Sequence, residues 1–294
     1  MNCPFLRETR VRYCRRASQR KLIPRLAEAV TEERCSTNDF VECSLYRDQT
    51  ECVAEAPPCP LLHESLVQFC AASSVTRFVP YSEAAISQCG SGSFRYCDLY
   101  LELTHAGTLA MCEGIPIEPD LLYTRNHWWV DMPAEGPCHV GIDAFLARLL
   151  GDASRIDYAT KAGWVKPIAS VTAGGADWQV TFPERVHLNR CNLYLRSNPA
   201  RLAAEPYTQG WLFEGTLLAD AAARLRRDCL TGDAARAWME QETRKVNEHV
   251  QELSGAAADG GLFAQGLFSV LGREDALALF HEFCSPAPSD KGDA

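Results

Sequence analysis

The chain has 294 residues, 47% of them apolar and 23% charged, with a net charge of −9 and fourteen cysteines. That length accommodates two or three domains with a sizeable core, and the apolar content argues against a disordered or fibrous chain. No run approaches the ~20 apolar residues of a membrane span, and eight Lys or Arg among residues 1–25, with no apolar block, argue against a secretory signal and point to the cytoplasm.

Fourteen cysteines in a chain read as cytoplasmic point to metal ligation or redox chemistry rather than to a disulfide framework. Four of them occur twice at nearly the same spacing: Cys3, Cys14, Cys35 and Cys43, then Cys59, Cys70, Cys89 and Cys97. The twelve residues from Cys3 to Cys14 match those from Cys59 to Cys70 at six positions, including both Cys-Pro pairs, Leu6 with Leu62, Glu8 with Glu64 and Val11 with Val67. Ten residues after the second cysteine each copy places a proline, Pro24 and Pro80. Each closes alike, Cys43-Ser44-Leu45-Tyr46 against Cys97-Asp98-Leu99-Tyr100. A duplicated unit of this size reads as a repeat architecture.

The two copies, residues 1–46 and 59–100, are joined by a linker over 47–58 that ends in Ala56-Pro57-Pro58. Leu6, Val11 and Tyr13, like Leu62, Leu66 and Phe69, suggest helical spacing, with Pro4 and Pro60 in first turns. Cys3 and Cys59 are therefore expected at helix starts, where backbone N–H groups would favour a thiolate. Residues 1–25 hold eight basic side chains and one acid, a local balance of +7 against −16 for the remainder. Arg7, Arg10, Arg12, Arg15, Arg16, Arg20, Lys21 and Arg25 read best as cations offsetting a thiolate cluster. No aromatic platform or reading helix accompanies them, so nucleic-acid binding is not expected.

Residues 99–110 are expected to form a strand, and 115–119 an extended connector. A β-rich domain follows over 120–217, with strands over 128–132, 139–142, 164–171, 178–182 and 186–195 and a helix over 143–150. Residues 218–286 turn helical, with helices over 230–253 and 273–283. The expected class is α+β: a duplicated small helical cysteine-rich module, a β-sandwich hybrid and a helical tail.

Tyr123-Thr124-Arg125-Asn126-His127-Trp128-Trp129-Val130, then Val140-Gly141-Ile142-Asp143-Ala144-Phe145 and Leu150-Gly151-Asp152, resemble the opening of the glycine cleavage system H protein family. Asn192 to Pro199, Glu205-Pro206-Tyr207 and Gly210-Trp211-Leu212-Phe213 resemble its closing segments, in the same order. The resemblance covers about residues 123–217 and implies a lipoyl-type β-sandwich hybrid. It also implies a chemistry that depends on one hairpin lysine carrying lipoic acid on a swinging arm. The counterpart here is Ala169-Ser170-Val171-Thr172-Ala173, with Thr172 where the lysine belongs. Counting back from Pro183 gives Gly175 instead, and Lys161 and Lys166 lie earlier in the chain. A hydroxyl cannot form the lipoyl amide, so lipoate is not expected and the fold is expected without its carrier chemistry.

Each four-cysteine set matches the ligand count of tetrahedral zinc and of a cubane iron-sulfur cluster. Neither copy has a Cys-x2-Cys knuckle, and the wide spacing favours an iron-sulfur cluster over zinc. The competing reading is a duplicated core in which cysteine serves as a small buried residue. Cys52, Cys112, Cys138, Cys191, Cys229 and Cys284 lack repeat partners and are assigned to packing. His127 is read as structural, and no nucleophile elbow or phosphate loop is present. The sequence therefore describes an accessory or carrier-like protein rather than an enzyme. Its two four-cysteine metal sites would serve electron transfer or redox sensing, and a protein partner would dock on the H-like domain or the C-terminal helices. A zinc- or thiol-stabilised scaffold is the alternative.

Overall fold

The computed structural model describes residues 2–17, 23–24, 34–48, 56–75, 77–79, 88–104, 109–134, 136–161, 163–254 and 263–284. Cys52, Arg20, Lys21, Arg25 and most of the linker lie outside them. The chain divides into two compact units, residues 1–94 and 95–294.

The first unit is built on a four-stranded antiparallel sheet, ordered β2-β1-β3-β4. Its strands are β1 (Leu6–Cys14), β2 (Ile23–Pro24), β3 (Leu62–Cys70) and β4 (Arg77–Val79), with one helical turn, α1 (Ser44–Arg47). The expected helices after Cys3-Pro4 and Cys59-Pro60 are thus strands. The reason lies in the same residues: Thr9, Val11 and Tyr13, and Ser65, Val67 and Phe69, alternate at the two-residue period of a pleated strand. Each long strand finds its partner in the other copy, with Leu6 opposite Cys70, Arg10 opposite Leu66 and Cys14 opposite Leu62.

The second unit opens with α2 (Asp98–Thr104), a helix where a strand was expected over 99–110; among the described residues of that span, Ala110 is the one in a strand. A two-stranded ribbon follows, β5 (Ala110–Cys112) and β6 (Ile115–Ile117). The main sheet has six strands in the order β11-β14-β15-β9-β8-β7: β7 (Leu122–Tyr123), β8 (Trp128–Asp131), β9 (Cys138–Ile142), β11 (Gly163–Val165), β14 (Val186–Cys191) and β15 (Phe213–Leu217). A second sheet, ordered β10-β12-β13, contains β10 (Ala153–Tyr158), β12 (Ile168–Ala173) and β13 (Ala176–Thr181). The strand expected over 164–171 is broken into β11 and β12 at Lys166-Pro167, where proline has no N–H for a ladder. The strand expected over 186–195 ends at Cys191, followed by the short helices α4 (Tyr194–Ser197) and α5 (Arg201–Ala204).

Helix α3 (Ala144–Leu150) begins where Asp143 accepts a hydrogen bond from Leu146 N at 2.9 Å. The C-terminal helices are α6 (Ala219–Asp228), α7 (Gly232–Ser254), α8 (Leu267–Val270) and α9 (Arg273–Cys284). One core runs through this unit, from Trp128, Trp129 and Phe145 to Trp238, Phe268 and Phe283. Among the described residues no helix is long and apolar enough to cross a membrane.

Candidate functional site

The repeat cysteines of the first unit sit at equivalent places in the two copies. Cys3 and Cys59 precede β1 and β3 by a tight turn, with Leu6 N donating to Cys3 O at 3.0 Å and Leu62 N to Cys59 O at 2.9 Å. Cys14 and Cys70 close the same strands, while Cys35 and Cys89 lie in short 3-10 turns, Arg34–Ser36 and Gln88–Gly90. Cys43 stands just before α1. Cys97 lies in the second unit, just before α2. The backbone joins Cys3 N to Cys89 O at 2.7 Å and Cys59 N to Cys35 O at 2.8 Å, each a link between different copies. Cys3 and Cys59 are buried. Among the described residues no three His, Cys, Asp or Glu side chains are gathered as a metal-holding group.

The basic arm has other partners. Arg10 and Arg12 both reach Glu64, at 3.3 and 3.4 Å. Arg7 donates to Pro4 O at 2.7 Å, and Arg15 Nη2 stands 3.0 Å from His63 Nδ1. Glu64 of β3 is thus a carboxylate shared by Arg10 and Arg12 of β1.

In the second unit the hairpin β12–β13 places Thr172 opposite Asp177 and turns through Gly174 and Gly175. Both glycines have positive φ, 58° and 77°, as a tight two-residue hairpin turn requires. Thr172 Oγ1 donates to Asp177 Oδ1 at 2.5 Å. Both sequence counterparts of the carrier position, Thr172 and Gly175, are therefore on this hairpin, and neither supplies an amine. Lys161 and Lys166 are exposed at the two ends of β11, away from the turn in sequence.

The hairpin turn is covered on one side by the segment around α8. A β-carbon on Gly174 would stand 2.5 Å from Ser269 Cβ. Trp178, which donates to Ala173 O at 3.2 Å, packs against Phe268 and Phe280 at 4.7 and 5.0 Å between ring centroids. The same segment holds α3: Arg148 donates to Phe263 O at 2.9 Å, and Gly266 N donates to Arg148 O at 2.8 Å. Gly151 meets Gly266 so closely that a β-carbon there would lie 2.4 Å from its Cα. The apolar stripes carrying Trp238 and Phe280 predict tail helices packed against the sandwich or a docking face, and Phe280 does pack on Trp178; that the cover falls on the β12–β13 turn is carried by no local pattern.

His127 is fully buried, has φ 60°, and holds Asp143 Oδ2 at 2.8 Å through Nδ1. Its ring lies between Phe145 and Trp238, with centroids 4.3 and 4.7 Å away, and its Nε2 points toward Glu242, 4.0 Å distant. This is a packed structural histidine bracketing the start of α3. A second buried set surrounds Glu214, whose Oε2 meets His139 Nε2 at 3.0 Å and Arg190 Nη2 at 2.6 Å. Burial opposes the charge of Glu214, but His139 and Arg190 outweigh it and hold the carboxyl down to about 2. Burial pushes His139 below its ordinary value, against the pull of Glu214. Tyr96 stacks on His139 at 4.0 Å and donates to Asp131 at 2.7 Å.

Several of the motif residues have structural duties. Gly141 faces Trp129 across the β8–β9 pair, where a β-carbon would press into the indole at 2.8 Å. Trp129 Nε1 donates to Pro206 O at 3.1 Å, and Asn192 Nδ2 donates to both Gln209 O and Trp211 O. Tyr207 joins the start of α3 to Pro116 O.

These residues lie within the match to a family model, Glycine cleavage H-protein, which covers residues 121–242. The chain is 34% identical over 107 residues to the glycine cleavage system H protein of Nocardia farcinica, covering 35% of this chain and 80% of that protein. It is 31% identical over 99 residues to that of Halorhodospira halophila, covering 33% and 76%. A crystal structure of a glycine cleavage system H protein from Mycobacterium marinum aligns at 24% identity over 38% of this chain and 99% of that one, with a TM-score of 0.30, too low to carry weight. On the sequence matches, and through its residues 121–242, the chain belongs to the glycine cleavage H-protein family.

Proposed function

We propose that this chain is an H-type docking protein that does not carry lipoate, fused to a cysteine module that binds a thiol-seeking metal. The observation behind the first half is the hairpin β12–β13. Its turn is Gly174-Gly175, Thr172 is hydrogen-bonded to Asp177, and Ser269 closes over Gly174. An amide-linked arm needs a free amine at this place, and the chain has a hydroxyl and two glycines. What remains is a shaped surface for a protein partner, since fold and chemistry separate when the reactive group is gone. The test is intact mass after co-expression with lipoyl ligase. The expected result is the unmodified mass; a lipoyl group on Lys161 or Lys166 would overturn the reading.

The second half rests on eight cysteines preserved through a duplication in which neighbours such as Phe5 and Leu61 have diverged. We favour an iron-sulfur cluster, serving electron transfer or redox sensing, with zinc as the alternative. Iron and acid-labile sulfide with a visible chromophore are expected from anaerobic purification. A second reading, a scaffold stabilised by thiols alone, is favoured by one observation: no three metal-type ligands are gathered among the described residues. Colourless protein with neither iron nor zinc would establish it.

A further inference from the structure

The duplicated module has the topology of an exchange. Strand β1 pairs along its whole length with β3, and the pairing is symmetric under interchange of the copies: Leu6 faces Cys70 as Leu62 faces Cys14, with the equivalent residues Arg10 and Leu66 opposite each other at the centre. This register carries the first cysteine of each copy to the end of the other copy's strand. Cys14 is paired with Leu62, Arg15 N continues the ladder to Leu61 O at 3.0 Å, and the turn closed by Leu62 N on Cys59 O brings Cys59 back beside it. At the opposite end Cys70 is paired with Leu6, Ala71 N reaches Phe5 O at 2.9 Å, and the same turn brings Cys3 back.

The third cysteines complete the pattern. Cys59 N donates to Cys35 O at 2.8 Å, and Cys3 N donates to Cys89 O at 2.7 Å. Cys43 follows Cys35 through one 3-10 turn, Asn38–Glu42, with Cys43 N bonded to Phe40 O at 3.0 Å. We propose that each thiolate site of this module takes its first ligand from the opposite copy: Cys59 joins Cys14, Cys35 and Cys43, and Cys3 joins Cys70 and Cys89. The inference rests on the reading that the module binds metal. Backbone hydrogen bonds join Cys59 to Cys35 and Cys3 to Cys89, and the β1–β3 register places Cys14 and Cys70 at the strand ends next to those turns.

Exchange and its alternative, sites formed within each copy, predict opposite results for two double variants of the full chain. With exchange, Cys14→Ser/Cys59→Ser damages one site and keeps about half the metal, whereas Cys3→Ser/Cys14→Ser damages both and loses nearly all. Sites within copies reverse these two outcomes, and that reversal would overturn the pairing while leaving metal binding intact. Metal is read as iron, zinc and sulfide per chain after anaerobic purification. A wild-type chain without any of these would overturn the metal reading itself. Should both double variants misfold and lose all metal, the unaltered chain still decides. After chelation of any metal, brief oxidation of its thiols with a diazenedicarboxamide, which is reduced to the hydrazine as each disulfide forms, is expected to link Cys35 to Cys59 and Cys3 to Cys89 in peptide maps. Links from Cys3 to Cys35 and from Cys59 to Cys89, or no link between the copies, would overturn the proposal.

Discussion

Gly174 and Ser269 approach so closely that a β-carbon on the glycine would lie 2.5 Å from the serine's own. The turn of the hairpin is therefore shaped for its cover as well as for its backbone. Gly174→Ala meets both a positive φ and this contact, and is expected to cost about 2–3 kcal/mol in chemical denaturation. Gly175→Ala has open space and only the backbone penalty, roughly 1 kcal/mol. Equal losses at the two positions would show that the cover contributes nothing.

Trp178 is the apolar half of the same closure, buried against Phe268 and Phe280. Trp178→Ala removes an aromatic anchor from a packed site, at an expected cost of about 3–5 kcal/mol. If the tail is held to the hairpin through this ring, the variant should also become sensitive to limited proteolysis between residues 263 and 284, with the β-sheets still intact. An unchanged cleavage pattern would place the anchor elsewhere.

Asp143 does two things at one point, accepting from Leu146 N at the start of α3 and holding His127 Nδ1. Asp143→Ala leaves the helix uncapped and a buried ring nitrogen without its partner, and is expected to destabilise by about 3–5 kcal/mol. Asp143→Asn retains an acceptor for the cap and should cost clearly less. Denaturant midpoints of the two variants measure the difference.

Acid should weaken the second unit through Glu214 and His139. The Glu214 carboxyl is held down to about 2 in the folded chain, so its contribution is full above the usual carboxylate range and is lost as pH falls toward 2. His139 is pushed down by burial, so it resists protonation when folded, and stability begins to fall below its ordinary value near 6.5. The two effects have the same sign. Glu214→Gln should be less stable at neutral pH and show a flatter dependence between pH 5 and 2; a parallel profile would assign acid sensitivity to other groups.

Burial pushes the Cys138 thiol up to about 12 and Cys229 likewise to about 12, and Cys138 donates to Gly215 O at 3.1 Å. At pH 8 both are protonated, and iodoacetamide should leave them unmodified in the native chain while labelling them after denaturation. Rapid native labelling of Cys138 would contradict its place in the core.

The H-type domain was legible because its signals are residues with no substitute. Gly141 is needed where Trp129 closes on the backbone, and Asn192 bonds two carbonyls at once. The cysteine module was misread as helical because a local window sees Leu6, Val11 and Tyr13, whereas the strand that satisfies β1 lies more than fifty residues away in sequence. For the same reason the cover over Gly174 was invisible: Ser269 is distant in sequence, and only the folded chain shows that no side chain fits between them.

The self-complementary register of β1 and β3 has a consequence for ancestry. Two identical copies on separate polypeptides would pair their strands by the same rule, since the central partners Arg10 and Leu66 are the same position of the unit. The module is thus a symmetric dimer written into one polypeptide, and the linker between the copies supplies as covalent proximity what separate subunits would have to obtain from concentration.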